Sequence, residues 1–528
     1  MSQFNLIDEA WIPVRKLDGE RVELGIRDTL LKAKEIAVIE DPSPLVTAAL
    51  HRFLLAVLYR ALEGPTDIDQ AKGWFESGLP APTIDAYLEL ECWRKRFWLF
   101  DEKYPFFQIP GFEPKTWRAW TALAAEHNAD NAKVLFDHVD VTRPDSVAPA
   151  AAARWLLAIQ TFALGGGNSD FQYTSSAPSA TAVMVLPLGQ HLEDTLLMNL
   201  VPQNSKVLAS DLPVWERDPE SVANLRAGVK RAITGHADRY TWRTRSIKLQ
   251  GDKAGNVRTL GFASGIECDS QNTPDPMVAY RIDKGKGRKP IQFHERGLWR
   301  DFDSLLPDDA HLAPGVIEHA TALTRSERAR FPRSVMVLGQ ANSKAKINFW
   351  RMERFALPER LTSDNYARSE IHQLLRDAER SGEAMETALE SWAKSMITKG
   401  DRNLQPDKWV KGKWIPGDVS KAIGKMSELA PPAPALIYWS MLEAAFHDVL
   451  RHYTAASDPD AIRLGWLKTV RNILSDAWRQ HAASVSTSDA WAIRALVRAE
   501  THVNRQLGAL NREIQQYETY HQTQEETA

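Results

Sequence analysis

Three consecutive glycines followed by an amide, Gly165-Gly166-Gly167-Asn168, are the residues of this chain best suited to bringing a main chain against a ligand. Glycine loses the most backbone freedom on ordering, so three in a row fit poorly inside a helix or strand. They suit a sharp turn, or a place where a second backbone approaches closely. The pattern therefore admits a flexible loop between two elements, or a backbone surface that meets a ligand, nucleic acid included. No Gly-Lys-Ser/Thr follows, which excludes a phosphate loop. The glycines end a helical stretch instead of opening one after a strand, which excludes a dinucleotide fingerprint.

Cationic side chains come in three runs. Residues 226–248 carry Arg226, Lys230, Arg231, Arg239, Arg243, Arg245 and Lys248 against Asp238 alone. Residues 281–300 carry Arg281, Lys284, Lys286, Arg288, Lys289, Arg296 and Arg300 against Asp283 and Glu295. The third run holds Arg325, Arg328, Arg330 and Arg333, then Lys344, Lys346, Arg351 and Arg354. Any one of these is what a solvated face looks like; together they predict a phosphate-facing surface whose binding is steeply salt-dependent.

Acid–base chemistry has one candidate. Phe136-Asp137-His138-Val139-Asp140 sets an imidazole beside two carboxylates. That suits metal binding or general-base work, and equally an ordinary loop histidine. No His-Glu-x-x-His, no second His/Asp cluster, no Gly-x-Ser-x-Gly elbow and no paired-cysteine site accompanies it. A metal-dependent DNA hydrolase using His138 with Asp137 or Asp140 stays open as an alternative, as does a purely scaffolding protein with solvated basic runs.

The elements that must position these residues are legible from pattern. A chain of 528 residues exceeds one ordinary core, and 44% hydrophobic with 25% charged residues is a globular composition. The net charge of −3 gives no global bias toward nucleic acid, so any basic surface is local or shared with partners. No uninterrupted apolar run approaches the roughly 20 residues that span a bilayer, so no membrane partner is expected. The N-terminal residues carry no basic-then-apolar leader, and the two cysteines, Cys92 and Cys268, lie far apart; a cytoplasmic protein without structural zinc is expected. Most of the 18 tryptophans are expected to anchor cores or interfaces.

Residues 12–15 and 21–25 read as a hairpin turning at Asp18-Gly19. Pro44 to Leu62 and Pro149 to Ala163 read as helices, Val183 to Leu186 as a strand, and Leu196 to Leu200 as either. The expected class is α+β: a large mixed domain over residues 1–360, then a helical domain over 361–528. In the latter, apolar stripes recur through Ile371 to Met396, Trp439 to Tyr453, Ile462 to Leu474 and Ile493 to Leu510. Four such helices in succession predict a four-helix bundle, with a polar tail from Gln515 that is expected to fray.

Taken in order, Asn5-Leu-Ile-Asp8-Glu-Ala-Trp11-Ile-Pro-Val14, Leu135 to His138, the glycine triplet, Tyr240-Thr-Trp242-Arg-Thr-Arg245-Ser-Ile247 and Gly339-Gln-Ala-Asn342-Ser-Lys344-Ala-Lys346 resemble the large subunit of the type I-E CRISPR Cascade complex, the CasA family. With the helical C-terminus, the resemblance covers essentially the whole chain. It implies a non-catalytic, cofactor-free subunit of a crRNA-guided antiviral surveillance complex. Such a subunit recognises the protospacer-adjacent motif (PAM) in double-stranded target DNA, promotes strand separation and R-loop formation, and helps recruit a helicase-nuclease. Sequence beyond the PAM is then read by the guide.

The resemblance also implies site residues. The glycine loop, Gly165, Gly166, Gly167 and Asn168, would enter the minor groove, where readout is coarse. A wedge would follow Asn342 at Ser343-Lys344-Ala345; the family pattern has Asn-Gln where this chain has Ser343-Lys344. A lysine finger would be Lys284 or Lys286, with Arg288 and Lys289 guiding the displaced strand. A loop over residues 130–143, with Phe136, Asp137 and His138, would anchor on the crRNA 5′ region or a backbone subunit. The helical domain would face the small subunits. Some relatives carry a cysteine cluster before the lysine finger; only Cys268 stands there, so no metal is implied.

Overall fold

The computed structural model describes residues 4–124, 145–269, 273–283, 285, 287–308, 310–324, 334–343, 346–358, 360–361, 364–399, 417–454 and 457–527. The chain divides into two compact units, Met1–Leu357 and Pro358–Ala528.

In the first unit the expected hairpin forms from Ile12–Lys16 and Arg21–Leu24, with Ile12 opposite Leu24, and Ile36–Ile39 adds a third strand. The helix Pro44–Leu62 starts where Ser43 Oγ accepts from Val46 N–H, with Pro44 in the first turn where its missing donor does no harm. It is apolar nearly all round, as a helix enclosed by its own protein must be. By length and composition alone it could cross a membrane, yet 89% of its most apolar window is buried. Around it, Phe53 meets Trp11, Phe97, Phe106, Phe107 and Trp215 edge-on at 5.6–6.5 Å. Leu192–Asn199, across the stretch with two readings, is a helix: His191 Nδ1 accepts from Asp194 N–H and opens it.

Two further sheets carry the regions of interest. Met184–Leu188 pairs with Ser334–Ser343, which pairs with Lys346–Ala356, all antiparallel. Arg245–Gly251 pairs with Val257–Ser264, with Arg118–Ala119 at the other edge.

Among the described residues of this unit, burial and the nearby Arg239 push His236 down to about 3, and His51 and His319 are likewise held neutral. His51 Nδ1 donates to Thr47 O at 2.8 Å and His319 Nε2 to Leu197 O at 3.0 Å, while the second ring nitrogen of each is buried without a partner. Burial outweighs these hydrogen bonds and pushes both down to about 4. Their folded values lie below the unfolded value of about 6.5, so the unfolded chain binds more protons as pH falls below it. Their contribution is complete above about 6.5 and is lost progressively toward about 4. Thermal unfolding at constant ionic strength should therefore show a loss of about 2 kcal/mol per histidine between pH 7.5 and 5. His51→Gln should flatten that slope.

The second unit contains helices Asn365–Thr398, Pro434–His452, Pro459–Ser484 and Ala490–Thr527, which include the four expected apolar stripes. A further helix, Gly417–Glu428, packs on the first of them. Its larger apolar anchors are only Val419, Ile423 and Met426, and Gly424 interrupts the pattern, so periodicity alone passed it over. Tyr438 Oη donates to Ala378 O at 2.8 Å and Trp466 Nε1 to Leu374 O at 2.9 Å, pinning the helices' axial register. Asp489 Oδ1 accepts from Trp491 N–H at the start of the last helix. That helix runs to Thr527 instead of fraying from Gln515. Lys468–Glu518 at 2.6 Å and Arg463 over the Tyr517 ring at 5.7 Å hold its polar end to a neighbouring helix.

Candidate functional site

The helix Pro149–Phe162 delivers the chain to the glycine loop, and its last turn is fixed to a strand. Gln160 Nε2 donates to Arg245 O at 2.9 Å, Arg245 N–H returns a bond to Gln160 Oε1 at 2.8 Å, and Thr244 Oγ1 donates to Gln160 O. Just beyond, the loop folds against its own continuation. Gly166 N–H donates to Thr174 O at 3.0 Å and Thr174 N–H to Gly167 O at 3.1 Å; Gly165 N–H reaches Ser176 Oγ at 2.8 Å. Ser169 Oγ accepts from Ser264 N–H, and Gln172 N–H donates to Ser264 Oγ, tying the loop's far arm to the sheet.

The glycines suit the loop for two reasons. A Cβ at Gly165 would lie 2.7 Å from Ser176 N and 2.9 Å from Thr174 O, both backbone atoms that cannot yield. Gly166 and Gly167 sit at φ of +132° and +92°, open to glycine and strained for other residues. At Gly167 an added Cβ would meet nothing within 4 Å, so that position faces open space. Gly166, Gly167 and Asn168 are exposed. The loop is thus a hydrogen-bonded turn whose exposed positions Gly166 and Gly167 carry no side chain.

Arg245 is the hub beneath it. Its side chain is buried, donating from Nη2 to Leu164 O at 2.7 Å and from Nη1 to Ser175 O at 2.7 Å, one carbonyl on each side of the loop. Burial pushes the guanidinium down to about 10, and no carboxylate offsets it. A lysine at this position carries the charge but lacks the planar fork that spans two carbonyls. Arg245→Lys should therefore raise amide exchange in residues 165–176 roughly tenfold, as loss of one charge-assisted bond of about 1.5–3 kcal/mol allows. Mass spectrometry of exchange would read it, with the second unit unchanged as the internal control.

A cavity of about 270 Å³ borders the loop, its lining including Gly166, Gly167 and Asn168 together with Gln340 and Ile347. Gln340 and Ile347 belong to the two strands whose ladder ends at Ser343 opposite Lys346. The glycine loop and the strands that lead to the expected wedge, far apart in sequence, thus border one cavity. Ser343 and Lys346 are exposed at the ladder's end.

The second basic run forms its own hairpin, Tyr280–Asp283 against Gly287–Pro290, with Arg281 opposite Lys289 and Ile282 opposite Arg288. Arg281, Ile282, Arg288 and Lys289 are exposed; Lys289 pairs with Asp283 at 2.7 Å, and Arg288 lies over the Tyr280 ring at 5.9 Å. The hairpin's foot rests on a buried charge pair. Asp275 binds Arg52 Nη1 at 2.8 Å, accepts from Ser179 Oγ at 2.7 Å and from Met277 N–H at 3.1 Å, while Tyr280 Oη accepts from its own N–H. Burial opposes ionisation of Asp275, but Arg52, Arg239 and these hydrogen bonds outweigh it and hold the carboxyl at about 2.

The residues singled out from sequence fare unequally. Gly165, Gly166, Gly167, Asn168, Asn342 and Ser343 belong to elements that border the cavity, and Arg288 and Lys289 stand on the exposed hairpin. Lys284, Lys286, Lys344 and Ala345 lie outside the described residues, as do Phe136, Asp137, His138 and Asp140. The first basic run requires a correction: Arg239, Arg243 and Arg245 are buried, Arg231 forks onto Asp238 and Lys230 pairs with Glu267. Guanidinium groups there serve carbonyls and one carboxylate, so the run is mainly internal scaffolding and not a phosphate-facing surface. In the third run Arg351 donates to His294 O and Arg296 O, and Arg354 to Ser334 Oγ. Among the described residues no group of three His, Cys, Asp or Glu side chains could hold a metal. Sequence reading missed the places of Arg52, Asp275 and Gln340. Gln340 lay inside a quoted motif, whereas nothing local marks Asp275.

Comparison with known proteins bears on the whole chain. Residues 5–477 match the family model described as CRISPR-associated protein Cse1. The chain is 34% identical over 523 residues to the CRISPR-associated protein CasA/Cse1 of Thermus thermophilus, covering 97% of this chain and 99% of that one. It superposes on a crystal structure of Thermus thermophilus CasA with a TM-score of 0.83 at 32% identity, over 96% of this chain and 100% of that one. A chain of a CRISPR RNA-guided surveillance complex shares the fold, with a TM-score of 0.69 at 19% identity over 96% and 99% of the two chains.

Proposed function

The chain belongs to the CRISPR-associated Cse1 (CasA) family, and from that membership we propose that it is the non-catalytic large subunit of a crRNA-guided surveillance complex, reading the PAM in duplex DNA. The observation that carries the reading is the glycine loop. Its backbone is held in place by Arg245 and Thr174, exposed, and free of side chains at Gly166 and Gly167. Such a surface can approach minor-groove base edges more closely than any side-chain-bearing loop. Coarse readout in that groove favours relaxed motif choice.

In this reading Asn342 and Ser343, with Lys344 and Ala345, act as the wedge that starts strand separation, and guide pairing offsets the unstacking. Lys284, Lys286, Arg288 and Lys289 contact phosphate or base beside it. Residues 136–138 engage the crRNA 5′ region or a backbone subunit, the helical unit meets the small subunits, and the complex so formed recruits the helicase-nuclease. Scaffolding alone would not call for an exposed, hydrogen-bonded glycine backbone.

The test is duplex binding by the crRNA-loaded complex, assembled with and without this chain, across a randomised PAM library at fixed salt. Motif-dependent binding that needs this chain is the expected result. Equal binding without it would leave only a scaffold. Chelator-sensitive DNA cleavage by the isolated chain would replace the reading with a hydrolase.

A further inference from the structure

The cavity bordering the glycine loop is more than a gap in packing. At about 270 Å³ it falls just under the ~300–1,000 Å³ of small-molecule pockets. It suits one flat ring system and not a whole dinucleotide. Its floor is apolar, with Leu45, Ala158 and Phe162. The half-buried ring of Phe262 lines it, with the Arg118 guanidinium 5.1 Å and the Arg245 guanidinium 5.7 Å from the ring centroid.

Its polar features are unbalanced in a consistent direction. Both charged residues lining it are arginines, and no carboxylate lines it among the described residues. Arg245 is committed to loop carbonyls, while Arg118 is exposed at the surface. Gln340 is fully buried with Nε2 donating to Phe162 O and Ala180 O, and its Oε1 has no hydrogen-bond partner. A buried acceptor without a partner, on a residue that lines a cavity, is a standing demand for a donor. The exposed backbone of Gly166, Gly167 and Asn168 borders the same space, giving it an entrance on the loop side.

We propose that this cavity receives a single unstacked nucleobase: a ring against Phe262 and the apolar floor, a base N–H donated to Gln340 Oε1, and the attached phosphate toward Arg118. These are the components by which proteins hold an extruded base: an aromatic or apolar face, an edge hydrogen bond, and a cation for the backbone. The proposal rests on the duplex-reading function above and extends it. A base leaving the stack beside the inserted loop is captured, which favours the opened over the closed duplex.

The test uses the assembled complex and target duplexes carrying one 5-iodouracil at each position in turn through and beside the PAM. Photo-crosslinks to this chain are mapped by peptide mass spectrometry. One position is expected to crosslink to the peptide containing Phe262. Ile159→Phe, which adds bulk from the half-buried edge of the cavity, and Gln340→Leu should each cut that crosslink at least tenfold, while melting temperature and subunit assembly show both variants folded. Crosslinking that bypasses the cavity peptides, or persists undiminished in a folded Ile159→Phe complex, overturns the proposal. PAM dependence measured on the same wild-type samples separates the two ideas: intact dependence with a silent cavity removes the pocket alone, whereas absent dependence removes the loop's groove reading.

Discussion

Gly167→Asp, assembled into the complex, is expected to lose duplex affinity by roughly 100-fold, about 2.7 kcal/mol, while folding and assembling almost as the parent does. The separation of the two effects comes from geometry. A Cβ at Gly167 has nothing within 4 Å, so the folded chain has room for it. The remaining penalty is the φ of +92°, about 1–2 kcal/mol for an L-residue in that region. An approaching duplex has no such room: the new side chain occupies the space a groove-inserted backbone needs, and its carboxylate faces phosphates. Gly165→Ala should behave in the opposite way. Its Cβ would collide with Ser176 N and Thr174 O, so the loop itself deforms before any partner arrives. Filter binding of PAM-bearing duplex, beside a melting curve for each variant, distinguishes them. Unchanged affinity in Gly167→Asp would mean that no backbone enters a groove there.

The second large effect is on stability. Asp275→Asn should destabilise the first unit by about 3–5 kcal/mol, because it leaves the buried Arg52 guanidinium without its counter-charge. Arg52 and Asp275 are 2% and 1% exposed, so solvent does little to screen the loss. Adding Arg52→Met to the Asp275→Asn variant should recover part of it, since an apolar side chain removes the uncompensated cation. The recovery should be incomplete, as the carboxylate also receives Ser179 Oγ and Met277 N–H. Because the Asp275 carboxyl lies at about 2, below the ordinary value of about 3.9, its contribution is present above the latter and fades only as pH falls toward the former. Denaturant unfolding of the single and double variants checks the cycle; additive losses would show that the two groups do not act as a pair.

Much of the architecture was legible because it is local. Asp18-Gly19 between alternating runs specified its hairpin, the apolar run after Ser43-Pro44 its core helix, and the heptad-like stripes from Ile371 onward the long helices. Gly417–Glu428 escaped because few apolar anchors and an internal glycine blur the period. In the second cationic run Arg281, Arg288 and Lys289 proved exposed, while in the first Arg239, Arg243 and Arg245 turned inward. Composition cannot separate these outcomes: an arginine reads alike in sequence whether its fork meets water, a phosphate or backbone carbonyls.

What the sequence determined by itself was the presence of a constrained glycine turn after a helix, since backbone freedom is a property of residue type and is written at one position. The family resemblance rested on that turn and on the motifs around it. What only the tertiary structure decided was which distant groups meet. Arg245 holds the Leu164 carbonyl that precedes Gly165, Gln340 and Ile347 line one cavity with Asn168, and Arg52 reaches Asp275 from a helix 223 positions earlier in the chain. Those meetings follow from how sheets and helices pack around a shared core. Packing is a many-body outcome of shape and burial that no short window of residues encodes.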